Sequence, residues 1–137
     1  MTVKASSLAA IAVAALATPA LAHHSFAMFD STRTLTMTGM VKDFEWTNPH
    51  VWLRVMVDDQ SGTPRQWALE MGAPGQQTRV GWKPDSVKPG DKVTVTIHPL
   101  KDGSRGGQLM SVKLPSGDLV CSNRGCGDGT GTILGPL

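Results

Sequence analysis

The sequence has no tyrosine, three phenylalanines and only two cysteines in 137 residues. It contains no internal repeat and no heptad, and helical periodicity is almost absent, which argues against a coiled coil or a helical bundle. Apart from one short stretch near the start, no apolar run approaches the roughly 20 residues that a transmembrane helix needs. The formal net charge is only +2. Such a balance creates no strong field for a polyanion, so we expect no nucleic-acid partner.

The first 22 residues have the pattern of a secretory signal peptide. Lys4 supplies a positive start, Leu8 to Thr18 is a short apolar run, and Pro19 ends it. Small residues at Ala20 and Ala22 fit the cleavage positions, so we predict that residues 1–22 are removed after export. The mature protein would then be periplasmic, without a transmembrane segment. An uncleaved anchor is the alternative.

Two cysteines lie close together near the end of the chain, in the stretch C-S-N-R-G-C. In an oxidising compartment, such a pair is typical of a disulfide that closes a small loop, and we predict this bond between Cys121 and Cys126. A thiolate metal pair is the alternative, but C-x4-C without a second pair is a weak zinc signal. We expect one domain over residues 23–120, followed by a glycine-rich tail over 121–137.

Alternation of apolar and polar residues predicts strands, and proline and glycine punctuate them. The expected order is three strands, a short helix and two or three further strands, over residues 34–46, 50–58, 64–71, 76–80, 92–98, 108–114 and 118–121. This order is that of the OB-fold. We therefore predict a mainly β protein, a small five- to six-stranded OB-like Greek-key barrel with one short helix. A small β-sandwich is the competing architecture.

A series of short motifs lies along the chain after the predicted cleavage site. The motifs are His23-His24-Ser25-Phe26, Met28-Phe29-Asp30, Gly39, Trp46-Thr47-Asn48-Pro49-His50, Gly81-Trp82, Lys88-Pro89-Gly90-Asp91-Lys92-Val93, His98-Pro99, Asp102-Gly103-Ser104 and Gly106-Gly107. Together they resemble those of a family of small exported bacterial proteins of unknown function. The resemblance extends from His23 to about Leu119 and implies an exported β-barrel domain with no established activity. The segment after Cys121 lies outside it.

The four histidines hold the only concentrated chemistry in the sequence. Cleavage after Ala22 would leave His23 with a free α-amine, which could chelate copper together with its imidazole. His24 adds a neighbouring donor, and His50 or His98, both at strand ends, could supply a third nitrogen. The alternative is that His23 and His24 form a solvated start and that His50 and His98 serve only the structure.

We therefore predict an exported, noncatalytic binding or accessory protein, with copper as the specific hypothesis. A metal-free adaptor for a small ligand or a protein is the main alternative. A copper oxidoreductase is disfavoured, because tyrosine is absent and the barrel leaves no room for a substrate platform. Glu70 could pair with Arg54 across neighbouring strands. Aromatic and cationic side chains could form a contact surface, and the candidates are Trp46, Asn48, Trp52, Arg54, Trp82, Lys101 and Arg105.

Overall fold

The computed structural model describes residues 26–126, which form one β-barrel with little helix. A single 3-10 turn, Phe26–Met28, precedes the first strand. The strands are β1 (Leu35–Glu45), β2 (Trp52–Asp58), β3 (Pro64–Glu70), β4 (Lys92–Pro99), β5 (Gly106–Lys113) and β6 (Leu119–Cys121), and the helix α1 (Pro74–Thr78) lies between β3 and β4. Each predicted element is present, with boundaries shifted by a few residues.

The strands follow the order β3-β2-β1-β4-β5, and parallel pairing of β3 with β5 closes the barrel. All other strand pairs are antiparallel. They include β6, which pairs with the last three residues of β5, Ser111 to Lys113. The predicted OB-like barrel is therefore confirmed. The closing contact is short, since it joins only Ala68 to Gly106, Leu69 to Gly107 and Glu70 to Gln108.

Alternation along the strands explains the core. Successive side chains point to opposite faces, so every second residue of each strand enters the barrel. The fully buried members of these inward rows include Leu53, Val55, Leu69, Val95 and Ile97. Trp82, after α1, is also fully buried and belongs to the same core cluster.

The first strand pairs with two neighbours because it bends midway. Its first half pairs with β4, and its second half pairs with β2. Gly39 lies at the change of partner, where a Cβ atom would collide with the main-chain carbonyl of Met56. A register shift between Val41 and Asp43 follows. Such a bulge bends a strand, and here it separates the start of β1 from the end of β2.

The segment after β5 folds back onto the barrel. Val120 and Cys121 of β6 are buried, and Cys121 forms a disulfide with Cys126, with Cα atoms 4.7 Å apart. The predicted boundary at residue 120 therefore passes through a strand. The disulfide loop, residues 121–126, also contacts α1, since Asn123 accepts a hydrogen bond from the side chain of Gln77.

Candidate functional site

The arm, residues 23–34, leads from the predicted cleavage site to β1, and its described part contacts the barrel beside the end of β4. His23 and His24 lie outside the described residues. The arm then contacts the strand end through its main chain: the Lys101 N–H donates to Met28 O (3.0 Å), and the Asp30 N–H donates to Pro99 O (2.8 Å). Phe29 forms a β-bridge with Leu100 and is buried. The arm is thus fixed one residue away from His98.

A second contact holds the start of the arm. The guanidinium of Arg124 lies over the ring of Phe26, with its carbon 3.7 Å from the ring centroid. This cation–π contact joins the arm to the disulfide loop. Phe26 itself stays 46% exposed, so Phe29 is the buried anchor of the arm.

His98 is held by the main chain before β1. Its Nδ1 lies 2.8 Å from Arg33 O. A carbonyl oxygen only accepts, so Nδ1 carries the hydrogen and the neutral ring presents its lone pair at Nε2. The side chain is half-buried. Metal-binding histidines commonly use one ring nitrogen in this way to orient the other.

His50 is held at the end of β3. Its Nδ1 lies 3.1 Å from Met71 O and 3.3 Å from the Glu70 carboxylate. The imidazole is 22% exposed and the Glu70 side chain only 5%. A carboxylate–histidine pair of this type can also orient a metal ligand. His50 precedes β2 rather than opening it, because pairing with β3 starts at Trp52.

The two described histidines lie on the outer face of the barrel. His98 pairs with Gln108, and Gln108 pairs with Glu70, which contacts His50. Residues paired in register share a face of the sheet. Within residues 26–126, no group of three or more His, Cys, Asp or Glu side chains could hold a metal ion. The copper hypothesis also involves His23, which lies outside these residues.

Glu70 does not pair with Arg54, contrary to the expectation from the sequence. Arg54 lies opposite Ala68 and donates to Asp43 (2.7 Å) and Glu45 (2.9 Å). The hydrogen bonds to Asp43 and then Glu45 raise the pKa of Arg54. Its charge is thus already neutralised, which weakens it as an anchor for a partner.

The remaining members of the predicted contact surface are dispersed. Trp46 and Trp52 are half-buried, while Asn48, Lys101 and Arg105 are exposed. Trp82 does not line a surface at all, because it is fully buried and its indole N–H donates to Cys121 O at 2.9 Å. An aromatic residue after a helix gave no sign of its depth in the sequence.

Sequence reasoning missed two buried polar residues. Alternation places Glu70 opposite the core, and the structure shows that it is nevertheless buried, with 4% of its surface exposed. Gln77 of α1 is fully buried and bonds to Asn123 of the disulfide loop. The signal for Glu70 was weak: alternation gives only its outward direction, whereas its burial depends on His50 arriving from a different segment.

Comparison with known proteins gives a family and no activity. A family of unknown function (DUF6152) matches residues 10–110. No curated protein and no solved structure matches the chain significantly. None of the helices in the described part of the chain has the length and apolar character needed to cross a membrane. Since the match covers most of the sequence, the chain belongs to this family of unknown function, DUF6152.

Proposed function

We propose that the protein is an exported, noncatalytic binding module that holds Cu(II) at its mature N-terminus. The α-amine and imidazole of His23 would form the chelate, and His98 would add the third nitrogen. Nitrogen donors suit Cu(II), which has the highest affinity among the divalent first-row metals. His50 is the second candidate for the third position.

One observation carries the choice of His98. The arm hydrogen-bonds to Pro99 and Lys101, and the His98 ring is oriented by Arg33 O so that Nε2 is its lone-pair nitrogen. His23 lies five positions before Met28, and the last two of these steps belong to the 3-10 turn Phe26–Met28. The turn spans about 4 Å and the three steps before it about 10 Å when extended, so the reach is about 14 Å in all. Lys101, opposite Met28, is three residues from His98, or about 10 Å along a strand. The arm is therefore long enough to return to His98.

The carboxylate of Glu70 supports His50 as the alternative donor. One of its oxygens lies 3.3 Å from Nδ1 of that ring. By accepting a hydrogen bond from Nδ1–H, it would make the imidazole a stronger metal ligand at Nε2. The start of the arm at Phe26 is also tied to Arg124, and the neighbouring Asn123 lies close to Gly72, beside Met71.

Calorimetric titration with Cu(II) tests the proposal on three matched forms. The first begins at His23, the second carries one extra alanine before His23, and the third is His24→Ala. We expect the blocked form to bind at least about tenfold more weakly, a loss of about 1.4 kcal/mol, and His24→Ala to bind nearly as the first form does. Affinity should fall as the pH drops through about 6.5, because the imidazoles must be deprotonated.

Substitution of each described histidine then identifies the third ligand. His98→Ala should weaken Cu(II) binding and remove one nitrogen from the hyperfine pattern in electron paramagnetic resonance, while His50→Ala should leave that pattern unchanged. The reverse result would assign His50. Equal affinity of the free and blocked N-termini would refute the copper site and favour the metal-free adaptor.

A further inference from the structure

The open end of the barrel contains a cleft that is separate from the histidines. It has a volume of about 280 Å³ and lies between the start of β1, the end of β2, the start of β3 and the residue before β5. The bend of β1 at Gly39 creates it, because β1 pairs with β2 only from Met40 onward. The parallel contact between β3 and β5 begins only at Ala68 and Gly106, so neither pairing closes this end.

The cleft is lined by side chains that belong to the barrel interior. Leu35, Met37, Val57 and Trp67 all occupy inward positions of their strands, since their register partners or near neighbours in the rows are core residues. They remain only partly buried and pack against the core. An apolar floor at the mouth of a β-barrel is a common location for a small-molecule site.

Arg105 gives this apolar cleft a charge. It precedes Gly106, which pairs with Ala68, so it lies alongside Trp67, and it lines the cleft with an exposed side chain. Its guanidinium makes no hydrogen bond or ion pair with another described residue. Arg65, the other cation at the cleft, is already bound to Asp59 (2.9 Å).

The acidic and hydroxyl residues at the cleft do not offset Arg105. Asp59 accepts hydrogen bonds from Ser61 and from Arg65. Asp58 and Thr36 also line the cleft, but they alternate with the inward residues that form its apolar floor, and Thr36 contacts Thr96 on the outer face. Of the two arginines that line the cleft, Arg65 is paired with Asp59, whereas Arg105 forms no ion pair with a described carboxylate.

We propose that this cleft binds a small amphipathic monocarboxylate. The apolar body, of about six to ten heavy atoms for a cleft of this size, would lie on Trp67, Leu35 and Met37. The carboxylate would bind the Arg105 guanidinium, whose planar donors match a carboxylate in two parallel hydrogen bonds. This site is independent of the copper proposal and shares no side chain with it.

Octanoate is a suitable probe, and 1-octanol is its uncharged counterpart. Nuclear magnetic resonance of the metal-free protein should show the indole signal of Trp67 moving on titration with octanoate, with Kd below about 1 mM. The indole signal of Trp82 should stay in place, since that residue is fully buried elsewhere. Acetate, which lacks the apolar body, should move neither signal.

Arg105→Gln separates the charged contact from the apolar one. We expect it to weaken octanoate binding about tenfold and to leave octanol binding unchanged, with Arg105→Lys between the two. Lys101→Gln is the matched control, because Lys101 is an exposed cation on the same loop that does not line the cleft. An unmoved Trp67 signal at about 10 mM octanoate, or equal octanoate affinity in Arg105→Gln and the wild type, would overturn the proposal.

Discussion

Replacement of both cysteines tests how far the disulfide loop belongs to the barrel. The two residues are only five positions apart, and loop-closure entropy for so short a loop is worth about 2 kcal/mol. Cys121 is fully buried and Cys126 nearly so. Cys121→Ala with Cys126→Ala should therefore lower the free energy of unfolding by about 2–3 kcal/mol, the bond plus a small packing loss.

The serine pair should be worse than the alanine pair. A serine hydroxyl at position 121 would be buried where a sulfur now lies, and an unpaired buried hydroxyl costs about 1–3 kcal/mol. The domain should still fold in both cases, since a domain of this size is typically stable by 5–15 kcal/mol.

Urea denaturation at pH 7 measures both differences. The fluorescence of Trp82 is a suitable signal for unfolding around the disulfide, because the indole N–H of Trp82 donates a hydrogen bond to Cys121 O. Wild-type protein under a reductant should match the alanine pair within about 1 kcal/mol. Global unfolding of the alanine pair would show that loop closure is not the main contribution. A serine pair as stable as the alanine pair would refute the argument from burial.

Two further predictions concern the start of the chain and an exposed turn. N-terminal sequencing of the exported protein should begin at His23, and a start one residue later would remove the chelating residue from the copper proposal. Hydrogen bonds donated by the side chains of Ser61 and Arg65 hold the pKa of Asp59 well below its usual value. A depressed folded pKa gives stability that is fully present above about pH 4 and declines progressively as the pH falls further. Asp59→Asn should therefore lower the urea midpoint at pH 7, and its difference from the wild type should shrink steadily as the pH falls below about 4.

The barrel was predictable because its signals are local. The alternating run Val93, Val95 and Ile97 indicates a strand with one buried face, and the turns beside such runs contain residues that chains need for reversal. Gly90 is an example, with a φ of 92° that suits glycine. A chain of short strands with one helix between the third and the fourth strand is then compatible with few topologies.

The site could be predicted only in part, because its contacts depend on segments that are distant in the sequence. Alternation places Glu70 on the outer face, which is correct. It also favours Arg54 on the neighbouring strand as the partner of Glu70, whereas the structure places His50 there. The β1 bulge between Val41 and Asp43 shifts register and brings both Asp43 and Glu45 to Arg54. A shift of one residue cannot be read from composition, yet it decides which carboxylate each cation meets.

The loop between β4 and β5 connects the surroundings of the two proposed sites. At its start, Leu100 bridges Phe29 of the arm, and at its end, Arg105 lines the cleft. Asp102 accepts hydrogen bonds from Ser104, and these lower the pKa of Asp102 and fix the turn between the two ends. The two proposed sites share this loop but no binding side chain. A substitution that removes a binding side chain should therefore weaken binding at one site alone. Loss of both affinities would instead indicate a displaced loop, which is why Lys101→Gln is an informative control for either titration.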